Sequence, residues 1–286
     1  MSIGLSEFWT RLVQSGAAQA ADCKQLANEY ANETGSPASD ASQLAQWLVE
    51  RDFLTEFQSE YVLTPGAADI RHGDFIQTSG QVAVPLSYWM PAQKIQDRER
   101  GYLIRAAANQ VTAAQFSLLQ SHCAVSADSL QGFQVTGSRA AGIELFSPLP
   151  AGNCLSELTS KKKKVDRRQA LTIANEVAAA LLAMHSMNLV HGSVRADRIW
   201  ITKAGKTILL RDPSQPPAVP RQDQSAAWLD VKETPGWYAA PEFANPSTAC
   251  TASTDVYALG CLVFRMVVGR MPVSYTHLTL PTIYSV

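Results

Sequence analysis

The amino-acid sequence predicts an α+β fold, in which a small helical domain precedes one larger domain with short strands first and long helices after them. Only helical spacing of apolar residues occurs over residues 1–66. Strand-like runs follow, and helical patterns dominate the later part of the chain. A length of 286 residues is sufficient for both domains.

Apolar residues recur at intervals of three and four in the first domain. Leu44, Trp47 and Leu48 belong to one such helix, and Leu54 begins another pattern. Asp40 and Thr55 stand where helix N-caps are expected. The Gly- and Pro-containing segments 35–39 and 64–66 interrupt the helices.

The larger domain begins with strands and continues with helices. A strand at 101–107 is followed by a helix at about 112–121, and Asp166 should open a helix over about 170–184. Two runs of apolar and β-branched residues separated by Lys203–Lys206 predict a hairpin. The remaining predicted elements are strands at 132–135 and 142–146, a hinge at 147–152 that leads into residues 155–158, and the hairpin strands at 199–202 and 207–210.

Four short motifs occur in a fixed order in the second half of the chain. They are His-Gly-Ser-Val-Arg at 191–195, Asp212, Ala-Pro-Glu at 240–242, and Asp-Val-Tyr-Ala-Leu-Gly at 255–260. Their order and spacing resemble the C-terminal lobe of bacterial Ser/Thr protein kinases. The resemblance implies a protein kinase-like two-lobe fold over residues 70–272, with an N-lobe at about 70–147 and a partial C-lobe at about 153–272.

The residues that perform the chemistry in this family are replaced. On the pattern H-R-D-L-x-x-x-N, the catalytic Asp falls on Ser193 and the Mg²⁺-binding Asn on Arg198. A hydroxyl does not replace a carboxylate base near neutral pH, and a guanidinium repels Mg²⁺. His191 is expected to be structural. Asp212 alone remains of D-F-G, and we favour a loop-capping role for it over Mg²⁺ binding.

The N-lobe shows the same losses. Between residues 70 and 91 the only glycines are Gly73 and Gly80, so no G-x-G-x-x-G loop is present. Arg105 stands in place of the lysine of V-A-I-K, and residues 101–127 contain no acidic partner for it. Adenine can still contact the connection between the lobes through backbone groups. We expect weak or no binding of ATP and Mg²⁺, with Arg105 and Asp212 as candidate ligands.

The resemblance also assigns structural roles downstream. Residues 234–242 are similar to the end of an activation segment, with Thr234 one residue out of register. In the family, Glu242 pairs with an Arg from a later part of the lobe, and Asp255 holds the catalytic loop by hydrogen bonds. The helix that Asp255 opens is predicted to bury the stripe formed by Val256, Leu259, Val263 and Val267.

The last residues have a different character. Residues 273–282 resemble one translated frame of a transposon-end adapter used in DNA libraries. We expect the tail 273–286 to be non-native and the natural lobe to continue beyond Pro272. A β-rich C-terminal segment is the alternative interpretation.

Composition excludes several classes of function. A formal charge of −1 gives no indication of nucleic-acid binding, and five cysteines without a C-x-x-C pair indicate neither zinc nor a disulfide scaffold. The start of the chain lacks a signal-peptide pattern, and the helix at 170–184 includes Asn175 and Glu176, which argues against a membrane span. A cytoplasmic location is therefore expected.

Together these observations favour a pseudokinase that acts as a binding or scaffold module for protein partners in bacterial signalling. The alternative is a divergent Ser/Thr protein kinase in which Asp197 or Asp212 replaces the lost base. Residues 47–58 are similar to a helical region that precedes the kinase domain in some large bacterial kinase-like proteins. Two roles are expected equally for that region, namely packing on the N-lobe and docking of a partner.

Overall fold

The computed structural model describes residues 3–67, 69–80, 89–106, 112–136, 143–159, 164–211, 238–244 and 249–271. Helices and strands are both present in these residues, and the predicted α+β class is confirmed. The chain divides into two compact units. The first contains Met1–Ala107 and Val135–Leu149, and the second contains Ala108–Gln134 and Pro150–Val286.

Four helices open the first unit, namely α1 (Leu5–Gln14), α2 (Ala20–Thr34), α3 (Ala41–Glu50) and α4 (Glu56–Leu63). The predicted caps are confirmed, because Asp40 accepts a hydrogen bond from the Ser42 N–H and Thr55 accepts one from the Gln58 N–H. Helix α2 was not predicted from the sequence. It buries only Leu26 and Tyr30, so its apolar pattern is weak.

The strands of the first sheet follow in the order β1-β2-β3-β4-β6-β5. They are β1 (Arg71–His72), β2 (Phe75–Gln77), β3 (Met90–Lys94), β4 (Arg100–Ala106), β5 (Gln134–Val135) and β6 (Ile143–Pro148). Gly101 allows β4 to approach β6 closely, since a Cβ atom there would lie 2.2 Å from the Ser147 carbonyl oxygen. Phe75 and Phe146 stack at 5.1 Å in the small core of the sheet.

The helices and the first strands share a hydrophobic core. Ile70 and Ile76 are buried in the same cluster as Phe8, Leu44 and Leu48. Residues 3–67 and the β1–β3 region therefore pack around one core within the first unit. The predicted boundary between a helical domain and a kinase-like domain, near residue 66, stays a prediction.

The second unit contains the long helices. Its elements are α5 (Ala113–Ala124), β7 (Gly152–Cys154), α6 (Leu155–Leu158), α7 (Arg167–His185), β8 (Ile199–Thr202), β9 (Thr207–Leu209) and α8 (Ala252–Val268). Strands β7, β8 and β9 form an antiparallel sheet, which confirms the predicted hairpin. The predicted cap of α7 is also confirmed, because Asp166 accepts hydrogen bonds from two N–H groups of its first turn.

The predicted buried face of α8 is correct for only half of its residues, because Leu259 and Val263 are partly buried against the core and the other two are exposed. Val256 is 60% exposed and Val267 is 36% exposed, whereas Asp255, Leu262 and Met266 lie inside. Helix α8 is apolar on most of its circumference, so periodicity alone did not identify the buried side. The inward position of Asp255 determines the rotation of the helix. Val256, Tyr257, Phe264 and Val267 consequently form an exposed apolar face.

Candidate functional site

The loop between α7 and β8 contains the residues on which the catalytic motif falls. Helix α7 ends at His185, and the chain turns through Asn188 and Gly192, whose φ angles are 56° and 70°. Glycine adopts such a positive φ without the penalty that a side chain causes. Gly192 therefore fits the sharp turn immediately after His191.

Asp255 holds this loop from the first turn of α8. One carboxylate oxygen accepts the His191 N–H at 2.8 Å, and the other accepts the Gly192 N–H at 2.8 Å. The ring Nε2 of His185, at the end of α7, lies 2.9 Å from the first of these oxygens. Asp255 is only 1% exposed, so a single buried carboxylate joins the loop to both long helices.

His191 lies beneath the loop and is fixed by two further hydrogen bonds. Its Nδ1 accepts the Ser193 N–H at 3.1 Å, so its Nε2 carries the proton and donates to the Leu210 carbonyl at 2.9 Å. Burial lowers the pKa of His191 to about 4, and the nearby cations Arg198 and Arg211 act in the same direction. A neutral imidazole with both nitrogens engaged in the protein is a structural group.

Arg195 and Asp197 form a buried bidentate ion pair. Arg195 Nε donates to one carboxylate oxygen at 3.0 Å and Nη2 donates to the other at 2.8 Å. Their side chains are 9% and 2% exposed. Both oxygens of Asp197 are thus oriented by an arginine of the same loop, and the carboxylate does not face solvent where a substrate hydroxyl would approach.

Ser193 and Arg198 are the residues that the sequence resemblance predicts at the positions of the catalytic base and of the second metal ligand. Ser193 is half-buried, and its hydroxyl lacks the basicity that proton abstraction requires near neutral pH. Arg198 is buried, and its carbonyl oxygen accepts the Leu210 N–H at 2.7 Å. A buried guanidinium has no lone pair to offer a metal, so this position does not fit Mg²⁺.

Arg211 is an additional structured residue at the site that the sequence did not reveal. Its Nε donates to the Gln131 carbonyl at 2.9 Å and its Nη2 to the Val125 carbonyl at 3.1 Å. The backbone N–H of Arg211 also donates to Gln131 Oε1 at 3.0 Å. Burial lowers the pKa of Arg211 to about 10. The segment after α5 is thereby fastened to the end of β9. The only sequence signal is a charged residue directly after the apolar run that ends at Leu210.

The positions of the other predicted site residues are described only in part. Arg105 lies in β4 with its backbone in register with Glu144, and its side chain lies outside the described residues. Asp212 and Thr234 also lie outside them. Glu242 is exposed in a short 3-10 helix over Pro241–Ala244.

Metal-ligand clusters and membrane-spanning helices are both absent from the described residues. In that part of the chain, no three His, Cys, Asp or Glu side chains come together as a metal site would require. No helix there has both the length and the apolar character needed to cross a membrane. All five cysteines are free.

Comparison with known proteins gives a consistent result. Residues 138–281, half of the chain, match the family described as protein kinase domain. The leucine-rich repeat receptor-like protein kinase PXC2 of Arabidopsis thaliana is 32% identical over 108 residues, which cover 38% of this chain and 11% of that protein. The Ser/Thr protein kinase ppk25 of Schizosaccharomyces pombe is 23% identical over 141 residues, covering 49% and 32%.

A bacterial protein is among the similar sequences. The Ser/Thr protein kinase PksC of Streptomyces coelicolor is 28% identical over 130 residues, which cover 46% of this chain and 23% of that protein. The matched regions thus span about a third or less of these relatives' own length.

Proposed function

The chain belongs to the protein kinase domain family, and we propose that it is a pseudokinase, a cytoplasmic binding or scaffold module for protein partners in bacterial signalling. In this proposal the kinase-like surfaces bind partners, ATP binds weakly or not at all, and no phosphoryl group is transferred.

The observation that carries the proposal is the state of the catalytic loop. Its backbone is held by Asp255 and His191, while the resemblance to the family assigns Ser193 to the position of the base and Arg198 to the position of the metal ligand. The loop is well formed, but it presents neither the base nor the metal ligand that phosphoryl transfer uses.

The alternative is a divergent Ser/Thr protein kinase that uses another carboxylate as its base. Asp197 is the nearest candidate along the loop, yet both of its oxygens accept hydrogen bonds from Arg195 at 2.8–3.0 Å in a buried position. Activation of a substrate through Asp197 would require the ion pair to break. Asp212 is the second candidate, and the experiment below addresses it directly.

Phosphoryl transfer is the first test. The full chain is incubated with labelled ATP and Mg²⁺ or Mn²⁺, alone and with general protein substrates, beside an active Ser/Thr kinase as a positive control. We expect no transfer above background, since loss of the base alone costs a factor of about 10²–10⁴. Transfer that disappears in Asp212→Asn or Asp197→Asn but persists in the exposed control Asp128→Asn would establish the alternative.

Nucleotide binding is the second test. Thermal-shift titration with ATP should give a small stabilisation that Mg²⁺ does not increase, because Arg198 stands where a metal ligand belongs. A large Mg²⁺-dependent stabilisation that is lost in Asp212→Ala, and kept in Asp128→Asn, would show a working nucleotide site.

We also propose that the tail 273–286 is foreign to the natural protein. The support is the resemblance of residues 273–282 to an adapter reading frame. The family match extends to residue 281 and therefore overlaps this segment. Sequencing the gene from genomic DNA decides the question, and recovery of the same codons would refute the proposal.

A further inference from the structure

The turn between β3 and β4 projects into the N-terminal helical segment. Three of its side chains, Ile95, Arg98 and Arg100, contact residues of 15–18 and 51–54, the two loops that follow α1 and α3. We call residues 95–100 the plug and these two loops the socket. Both lie in the first compact unit.

Arg98 makes the central contacts. Its Nη1 donates to the Ala17 carbonyl at 3.0 Å, and its Nη2 donates to the Phe53 carbonyl. The guanidinium also lies over the Phe53 ring, 4.0 Å from the centroid. One side chain thus satisfies a carbonyl in each loop of the socket.

Ile95 and Arg100 make the contacts on either side. A Cβ atom on Gly16 would lie 2.6 Å from Ile95 Cδ1, so the Ile95 side chain packs closely against the backbone of the socket at residue 16. Arg100 Nη2 lies 2.9 Å from Asp52 Oδ1 and donates to the Asp52 carbonyl at 3.2 Å. Apolar packing and ion pairing therefore act at the same joint.

Two residues with a left-handed backbone lie at this joint. Among the described residues, three non-glycine residues have a positive φ, and two of them are Asp52 at 57° and Arg98 at 62°. Asp52 follows α3, where its N–H donates to the Val49 carbonyl and the Phe53 N–H donates to the Leu48 carbonyl, as at a helix C-terminus. Arg98 lies in the turn after β3, where its N–H donates to the Lys94 carbonyl. Local hydrogen bonds therefore fix the backbone of both the plug and the socket.

The helical segment offers little apolar surface to another protein. In the described part of the chain, every exposed large hydrophobic side chain lies at Val135 or later. Residues 3–67 direct their large apolar side chains inward, to the core that they share with Ile70 and Ile76. The loops that follow α1 and α3 are instead occupied by the plug.

We propose that residues 3–67 are an intramolecular docking partner for the β3–β4 hairpin of the kinase-like sheet. The socket recognises a turn with an apolar side chain and an arginine three residues later, and its own chain supplies that turn permanently. The helical segment restrains the hairpin that carries Arg105, and it is not a separate module for capture of another protein.

The test uses the full chain with a protease recognition sequence inserted after Gly66. This glycine is exposed, and no atom lies within 4 Å of where its Cβ would be. After cleavage of the folded protein, we expect the two parts to co-elute in size-exclusion chromatography. In the double variant Ile95→Asp/Arg98→Ala, which keeps only the core shared with Ile70 and Ile76, a smaller fraction of the two parts should co-elute.

The matched control is Arg51→Ala. Arg51 also stacks on an aromatic ring, that of Trp47, and pairs with Glu33, but both partners belong to the helical segment. The cleaved Arg51→Ala protein should therefore co-elute like the parent. The cleaved parent protein is a test that does not depend on the folding of any variant. If its two parts separate in chromatography, the proposal is overturned.

Hydrogen exchange on uncleaved protein supplies a second readout. In Arg98→Ala, amides of 90–106 and of the two socket loops should lose protection together, by about tenfold or more in exchange rate, while α7 and α8 do not change. Loss of protection confined to the hairpin would show that the helices are an independent domain, and the proposal would be refuted.

Discussion

Replacement of Asp197 by Asn distinguishes a structural carboxylate from a catalytic one. Asp197 accepts two hydrogen bonds from Arg195 at 3.0 and 2.8 Å. The side chains of the pair are 9% and 2% exposed, so water cannot easily replace the lost charge. Asp197→Asn changes few atoms but leaves the Arg195 guanidinium buried without its counter-ion.

The expected loss is large relative to the stability of a domain. Removal of one partner from a buried ion pair costs about 3–5 kcal/mol, because the remaining charge is uncompensated. A domain has only about 5–15 kcal/mol of net stability. At about 2–4 °C per kcal/mol for a protein of this size, Asp197→Asn should lower Tm by roughly 6–20 °C.

A double-mutant cycle isolates the contribution of the pair. The four proteins are the parent, Asp197→Asn, Arg195→Met and the double variant, each unfolded by urea and by heat. We expect the double variant to be more stable than the sum of the single changes predicts, by about 0.5–3 kcal/mol, since no unpaired charge remains in it. Asp128→Asn, at an exposed position, should change stability by less than about 0.5 kcal/mol.

A catalytic Asp197 would give the opposite pattern. The structural reasoning is refuted if Asp197→Asn has the stability of the parent and the cycle shows no coupling. If the same variant also abolished a measurable phosphoryl transfer, Asp197 would be the base of a divergent kinase.

Three further predictions concern the loop and the second sheet. Burial holds the pKa of His191 at about 4, so the unfolded chain takes up a proton at a higher pH than the folded protein does. The free energy of unfolding should therefore fall by up to about 3 kcal/mol between about pH 6.5 and about pH 4. Urea midpoints across this range measure the fall, and an equal pH dependence in His191→Gln would contradict the prediction. Asp255→Ala should lower the free energy of unfolding by about 2–6 kcal/mol, since the buried His191 N–H and the Gly192 N–H lose their acceptors. An unchanged urea midpoint would instead show that water replaces the carboxylate. Gly152→Ala should lower Tm strongly, because the new Cβ would lie 2.3 Å from the Ile201 carbonyl oxygen. Gly132→Ala should be tolerated, since no atom lies within 4 Å of where its Cβ would be. Similar Tm values for the two variants would be inconsistent with this packing.

Local features were the ones that the sequence predicted well. The caps at Asp40, Thr55 and Asp166 and the β8–β9 hairpin depend on residues close together in the chain, and all four agree with the structure. Their chemistry is short-range, because an N-cap oxygen binds an N–H two or three residues later. No knowledge of the tertiary fold is needed to recognise them.

Contacts between distant residues were not predictable in this way. The orientation of α8 is set by hydrogen bonds that Asp255 accepts from a loop more than 60 residues earlier. The Arg98 contact with Ala17 joins residues 81 positions apart, and the Arg211 contact with Val125 joins residues 86 apart. Each depends on tertiary placement, and an isolated arginine in a sequence does not indicate which carbonyl it will meet.

In the proposed pseudokinase, the architecture of the catalytic loop would survive without its chemistry because the two depend on different atoms. Asp255 binds the backbone N–H groups of His191 and Gly192, and His191 binds the backbone carbonyl of Leu210. Backbone groups are the same whatever side chains they carry, so the family's Arg-Asp pair can become Gly-Ser without loss of these bonds. Phosphoryl transfer instead requires a carboxylate and a metal ligand as side chains at defined positions. Similarity to the family therefore reflects the hydrogen bonds to backbone groups that form the loop. Activity has to be judged from the side chains that act as base and metal ligand.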